Sequence, residues 1–145
     1  MNVYTIGFTK TAAEIFFKKL RMNNIKTLID VRLNNSSQLA GFAKAKDLEF
    51  FLGELCNIKY KHVLELAPTK EILKPYQNKD ISWSEYADKF MNLMAKRNIE
   101  RYASSLELEN GCLLCSEHEP HQCHRRLVLE YLRNHALSDI EEKHL

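Results

Sequence analysis

Cys112-Leu113-Leu114-Cys115-Ser116-Glu117-His118-Glu119-Pro120-His121-Gln122-Cys123-His124-Arg125 is the stretch whose reading decides the fold. Asn110-Gly111 marks a turn immediately before it. The apolar run Cys112 to Cys115 is too short for a helix and is bounded by turn signals, so it reads as a buried strand. After a polar loop, His124, Leu127, Val128 and Tyr131 share one face of a helix that begins near Gln122 or Cys123. A buried strand feeding a helix through a chemically rich loop is the unit of an α/β sheet.

The same alternation extends toward the N-terminus. Val3 to Ile6, closed by Gly7, is a first strand, and Thr11-Ala12-Ala13-Glu14 is a capping box opening a helix with Phe16 and Leu20 on one face. Thr27 to Val31 is a second buried strand, followed by a polar loop from Arg32 to about Lys44. Leu48, Phe51, Leu52 and Leu55 have helix spacing, and Ile58 to Val63 suits a third strand. Leu64 to Asp80 reads as irregular, with Pro68 and Pro75 as breakers and room for one helical turn between them. Ser82-Trp83-Ser84-Glu85 is a second capping box before the apolar face of Trp83, Tyr86, Ala87, Phe90, Leu93 and Met94. A short helix is expected from Ile99 to Leu108, and the tail from Ser138 is an edge strand or disordered. The expected architecture is a single domain over residues 1–145, an open, mostly parallel sheet of about four to five strands with helices on both faces.

The chain of 145 residues is 45% apolar, enough for one real core. Its formal charge of +2, with basic and acidic residues interleaved, gives no electrostatic footprint for nucleic acid or anionic lipid. No apolar run spans a membrane and no signal peptide is read, so a cytoplasmic location is expected, with the four cysteines reduced rather than bridged. Cys56 reads as a small core residue.

Open parallel sheets bind ligands beyond the carboxyl ends of their strands. The loops after Gly7, Asp30, His62 and Cys115 should therefore converge on one rim. There, the helix N-terminus with Arg125 and Arg126 would favour a thiolate at Cys115 or Cys123. Glu117 and His124 are candidate proton carriers, with Glu117 also able to orient an arginine. Arg32 and Arg125 are candidate anion holders, with Asp30, Ser37 and Thr9 beside them. Asp30 and Arg32 serve equally well as loop anchors. The long loop carrying Ser36, Ser37, Gly41 and Phe42 has the length of a functional segment. Tyr4, Tyr60 and Tyr86 read as core or rim aromatics, and His62 and His135 as surface or packing residues.

The chemistry expected is thiol-dependent action on a small anionic, phosphorylated or nucleotide-like ligand, with no cofactor required. The alternatives are a zinc or iron site using Cys115, Cys123 and His124, and a non-catalytic module binding nucleic acid or protein. For the metal, the spacing is irregular and lacks paired Cys-x-x-Cys units; Cys112 and Cys115 do have that gap, but along a strand their side chains point to opposite faces.

Thr5-Ile6-Gly7-Phe8-Thr9, Leu28-Ile29-Asp30-Val31-Arg32, Ser37 through Gly41-Phe42, Tyr86-Ala87, and Leu113-Leu114-Cys115-Ser116-Glu117 with Pro120 and Cys123-His124-Arg125 together resemble the family called domain of unknown function 488. The resemblance implies a small cytoplasmic α/β protein of bacteria and archaea and names no reaction. It ranks Cys115, Glu117, Cys123, His124 and Arg125 above His118 and His121. The family pattern has His-Ser-Asn where this chain has Phe8-Thr9-Lys10, which implies altered chemistry at that corner. Ala67-Pro68 replaces a frequent Gly-Gly after Leu66. A fainter likeness to rhodanese-like domains stays at fold level: their anion loop has about five residues after the cysteine, whereas nine separate Cys115 from Arg125 here.

Overall fold

The computed structural model describes residues 1–36, 41–116 and 122–145. These form one five-stranded sheet of β1 (Asn2–Gly7), β2 (Thr27–Asp30), β3 (Lys59–His62), β4 (Gly111–Cys115) and β5 (Glu141–His144). Its order is β3-β2-β4-β1-β5, and every pair is parallel. The helices are α1 (Ala13–Met22), α2 (Ala45–Phe51), α3 (Lys70–Gln77), α4 (Trp83–Lys96) and α5 (His124–His135). The expected α/β class, with helices on both faces, is what the chain adopts.

β4 is central and buried along its whole length, hydrogen-bonded to β2 on one side and β1 on the other. That explains why Cys112 to Cys115 is continuously apolar rather than alternating. Gly111 starts this strand because nothing larger fits: a Cβ there would lie 2.7 Å from the Glu107 carbonyl oxygen. The pleat divides the neighbouring residues between two cores. Tyr4, Ile6, Leu28, Cys112 and Leu114 pack under Phe16 and Leu20 of α1 and Leu48 of α2. Val3, Ile29, Leu113 and Cys115 pack under Tyr86, Phe90 and Met94 of α4 and Leu127, Val128 and Tyr131 of α5. Cys112 and Cys115 thus lie on opposite faces. At roughly 1.5–3 kcal/mol for each large apolar side chain buried, the four helix faces hold the sheet's two layers in place.

Several local expectations are corrected. Thr11 does not cap α1: Ala12 holds the cap position without a side-chain bond, and the Thr11 hydroxyl donates to the Thr9 carbonyl. A wider π-type turn, Leu52–Cys56, follows α2 and rotates Leu55 out of the predicted stripe, leaving it exposed. α3 runs through Pro75, which sits near its end. Ile99–Leu106 is a run of 3₁₀ turns. Ser82 does cap α4, its hydroxyl accepting from the Glu85 N–H at 3.1 Å. The tail forms edge strand β5 against β1. Among the described residues no helix is long and apolar enough to cross a membrane.

Candidate functional site at the carboxyl rim

Parallel pairing brings the strand ends level. Gly7 lies opposite Cys115, and Asp30 lies opposite both Leu114 and His62. The loops leaving them are pinned together: the Val31 N–H donates to Leu114 at 3.0 Å, and the Thr9 N–H donates to the Ser116 carbonyl at 3.1 Å. The Thr9 hydroxyl donates to that same carbonyl. Thr9, a candidate anion ligand, thus ties the β1 loop to the β4 loop.

Cys115 ends β4 and Cys123 caps α5, so the chain leaves and re-enters the rim at neighbouring points. Their sulfurs are bonded to each other, which corrects the expectation of four free thiols. The free cysteines are Cys56 and Cys112, and Cys56 is only half-buried rather than a core residue. Burial pushes the Cys112 thiol far up, which makes it an inert core sulfur.

His124, the first residue of α5, is buried with Nε2 2.7 Å from the Val31 carbonyl oxygen. A carbonyl only accepts, so Nε2 carries the proton and Nδ1 is left as an acceptor. Nδ1 lies 4.0 Å from the Cys123 sulfur. Burial lowers the His124 pKa to about 4, and the Arg125 charge adds to the fall against the raising effect of the Val31 bond. The ring is therefore neutral at pH 7.

Arg125 is wholly buried, and its Nη1 donates to the Cys115 sulfur at 3.5 Å. It stands behind the cleft lining, with its charge set against the Cys115 sulfur. Arg126 lies over the Trp83 ring and toward Glu130.

Arg32 has a different environment. Asp30 accepts from its Nε at 2.9 Å and its Nη2 at 2.8 Å, while Tyr60 donates to Asp30 at 2.5 Å. Burial and the Asp30 contact push the Tyr60 hydroxyl well above its usual range, which keeps it a donor. His62 Nε2 is 2.8 Å from the Arg32 carbonyl oxygen, so the residue read as ordinary packing fixes this loop. The Asp30 carboxylate is committed and cannot itself hold an anion; it aims Arg32. Among the described residues, the Arg32 Nη1 is buried with no hydrogen-bond partner. Phe8, at the family's histidine position, is a core residue whose ring lies 5.3 Å from the Arg32 guanidinium carbon.

These groups border a cleft of about 480 Å³ lined by Arg32, Asn34, Lys70, Lys74, Tyr76, Tyr86, Ser116, Gln122, Cys115, Cys123 and His124, among others. Of the sequence candidates, the structure brings Arg32, Cys115, Cys123 and His124 to one surface, with Asp30 and Arg125 directly behind. Ser37 and Glu117, like His118 and His121, lie outside the described residues. Sequence reasoning missed Lys70 and Lys74, because Pro68 and Pro75 hid α3. Their i, i+4 spacing after Thr69, a good cap residue type, was the available signal. It also missed the part of Tyr60, which the alternation Tyr60, His62 along β3 would have placed beside Asp30.

The family described as Domain of unknown function DUF488 matches residues 12–132. No curated protein and no solved structure matches the chain.

Proposed function

Starting from the fact that the chain belongs to the family of domain of unknown function DUF488, which names no reaction, we propose from the site itself a thiol-dependent, enzyme-like domain acting on a small anionic ligand. Phosphorylated and nucleotide-like compounds are the ligand class. The observation that carries this reading is the meeting of two sulfurs and a neutral histidine on the floor of a cleft whose wall holds cations, with buried Arg125 set against one sulfur from behind.

The roles follow from position. Reduction of the Cys115–Cys123 bond gives two thiols. Cys115 leaves its proton most readily, because the Arg125 guanidinium beside its sulfur stabilises the thiolate. The Nδ1 of His124 is the acceptor for the Cys123 proton. Arg32, through an Nη1 without a partner among the described residues, and Lys70 and Lys74 hold the anion. A reducing, cytoplasmic setting keeps the pair in its dithiol form.

The test is alkylation of the reduced, native chain by iodoacetamide at neutral pH, with each cysteine followed by peptide mapping. Cys115 or Cys123 should react at least about tenfold faster than free cysteine, with Cys112 as an internal unreactive reference. Rates no faster than free cysteine at both positions would remove thiol chemistry from the account.

A further inference from the structure

We infer that, once reduced, Cys115 and Cys123 together with His124 hold a thiophilic divalent cation, zinc foremost, in a site with one coordination position open to the cleft. The inference does not rest on the thiol-reactivity reading; it needs only the placement of three ligand atoms. One ligand atom from each residue lies within 4.8 Å of the others, and all three residues are buried. That spread suits a common ion at the centre of two thiolates and an imidazole, given bond lengths of roughly 2.3 Å to sulfur and 2.0–2.1 Å to nitrogen.

Four features beyond proximity point to a cation. The ligand chemistry is sulfur, sulfur and imidazole nitrogen, which selects zinc-like ions and disfavours magnesium and calcium. The Nε2 of His124 is bound to a backbone carbonyl, the orientation that metal-bound histidines commonly use to expose the other nitrogen. That nitrogen, Nδ1, faces the Cys123 sulfur. Arg125 donates to the Cys115 sulfur from behind, as outer-shell donors do to metal thiolates. Among the described residues these three are the group able to hold an ion, and all three also line the cleft. With three ligands from the chain, a fourth, tetrahedral position is left for water or a ligand in that cleft. An anion placed there would meet Arg32 and the two lysines.

The bond between the sulfurs and the ion exclude each other. An external dithiol reduces the pair, giving two electrons and two protons to the S–S bond and closing to a cyclic disulfide itself. Binding of the cation then displaces the two thiol protons. The disulfide form therefore stands as the metal-free state of the same site.

Titration of the reduced full chain with cobalt(II) in the absence of oxygen tests this. Binding of one equivalent is expected, with a sulfur-to-cobalt charge-transfer band and the intense visible bands of a tetrahedral ion. Cys123→Ser should abolish the charge-transfer contribution of one sulfur, His124→Gln should weaken binding at least tenfold, and Cys56→Ser should change neither. Zinc should also slow alkylation of Cys115 and Cys123 in the unaltered chain, a readout that needs no variant to fold. Azide should shift the visible bands if the fourth position is open. Substoichiometric binding, a spectrum without the sulfur band, or unaltered alkylation with zinc overturns the site, and visible bands insensitive to azide overturn its openness. Iodoacetamide rates without metal are unaffected by any of these results, so failure here is distinguishable from failure of the thiol reading.

Discussion

Two buried arginines stand at the same rim and do different things. Arg32 is closed on its own strand end by the Asp30 carboxylate, in a two-pronged pair only two residues apart in sequence. Arg125, arriving from α5, sets a guanidinium nitrogen against sulfur. In the first case two guanidinium nitrogens are tied to the carboxylate and the geometry is fixed, which makes a frame that aims the third nitrogen. In the second the positive charge is aimed at a sulfur that, in the proposed reduced state, becomes negative when it reacts or binds metal. The rim needs both: a rigid edge at β2 and a poised centre between β4 and α5.

The contrast breaks most visibly at Asp30. Asp30→Ala leaves the Arg32 guanidinium buried without its counter-charge, and should cost about 3–5 kcal/mol. Urea denaturation reads this directly; a loss below about 1 kcal/mol would mean that the pair does not frame the rim. Replacing Asp30 and Arg32 together by apolar residues should cost less than Asp30→Ala alone.

The next largest effect is a pH dependence on the other side of the comparison. His124 has a pKa of about 4 in the folded chain, below its ordinary 6.5, mainly because of burial. The unfolded chain therefore binds more protons between those values, and stability falls as pH drops from about 6.5 toward 4, by about 3 kcal/mol in all. His124→Gln should remove that component. A stability profile for the native chain that is flat across this window, or one that does not change with the substitution, contradicts the buried, neutral ring.

Arg125→Met should slow alkylation of reduced Cys115 at neutral pH about tenfold, by withdrawing the charge that favours the thiolate. Peptide mapping checks this, and Arg32→Met should have a smaller effect on the same rate. The smallest expected change is at Tyr60→Phe, which removes the hydroxyl bond to Asp30 and should cost about 1 kcal/mol, read by thermal or urea unfolding.

Much of this frame was legible before any coordinates. The run from Cys112 to Cys115 announces a buried central strand because a strand flanked by others and covered on both faces needs no polar alternation. The spacing of His124, Leu127, Val128 and Tyr131 predicts α5, and the convergence of strand ends predicts the rim. What failed was short-range chemistry subject to tertiary override. Thr11 bonds its own loop at the Thr9 carbonyl instead of capping α1, and Thr9 in turn ties that loop to the one after β4. Pro75 lies late enough in α3 that its missing N–H disturbs little of the helix. The π-type turn after α2 changes the register, and with it the direction of Leu55. Long-range pairings were invisible for a different reason. No local signal tells that Arg125 reaches Cys115, that Arg126 turns to Trp83, or that the two rim sulfurs touch. Phe8, whose place in the family pattern implies altered chemistry at that corner, is a core ring packed beside Arg32.

The central claim is that the anion-holding wall and the sulfur floor belong to one site. The direct measurement is the rate of iodoacetamide modification of Cys115 and Cys123 in the reduced chain as inorganic phosphate is added at constant ionic strength. The rates should fall along a saturating curve as phosphate occupies the wall of Arg32, Lys70 and Lys74. Rates indifferent to phosphate at every concentration would contradict a shared site.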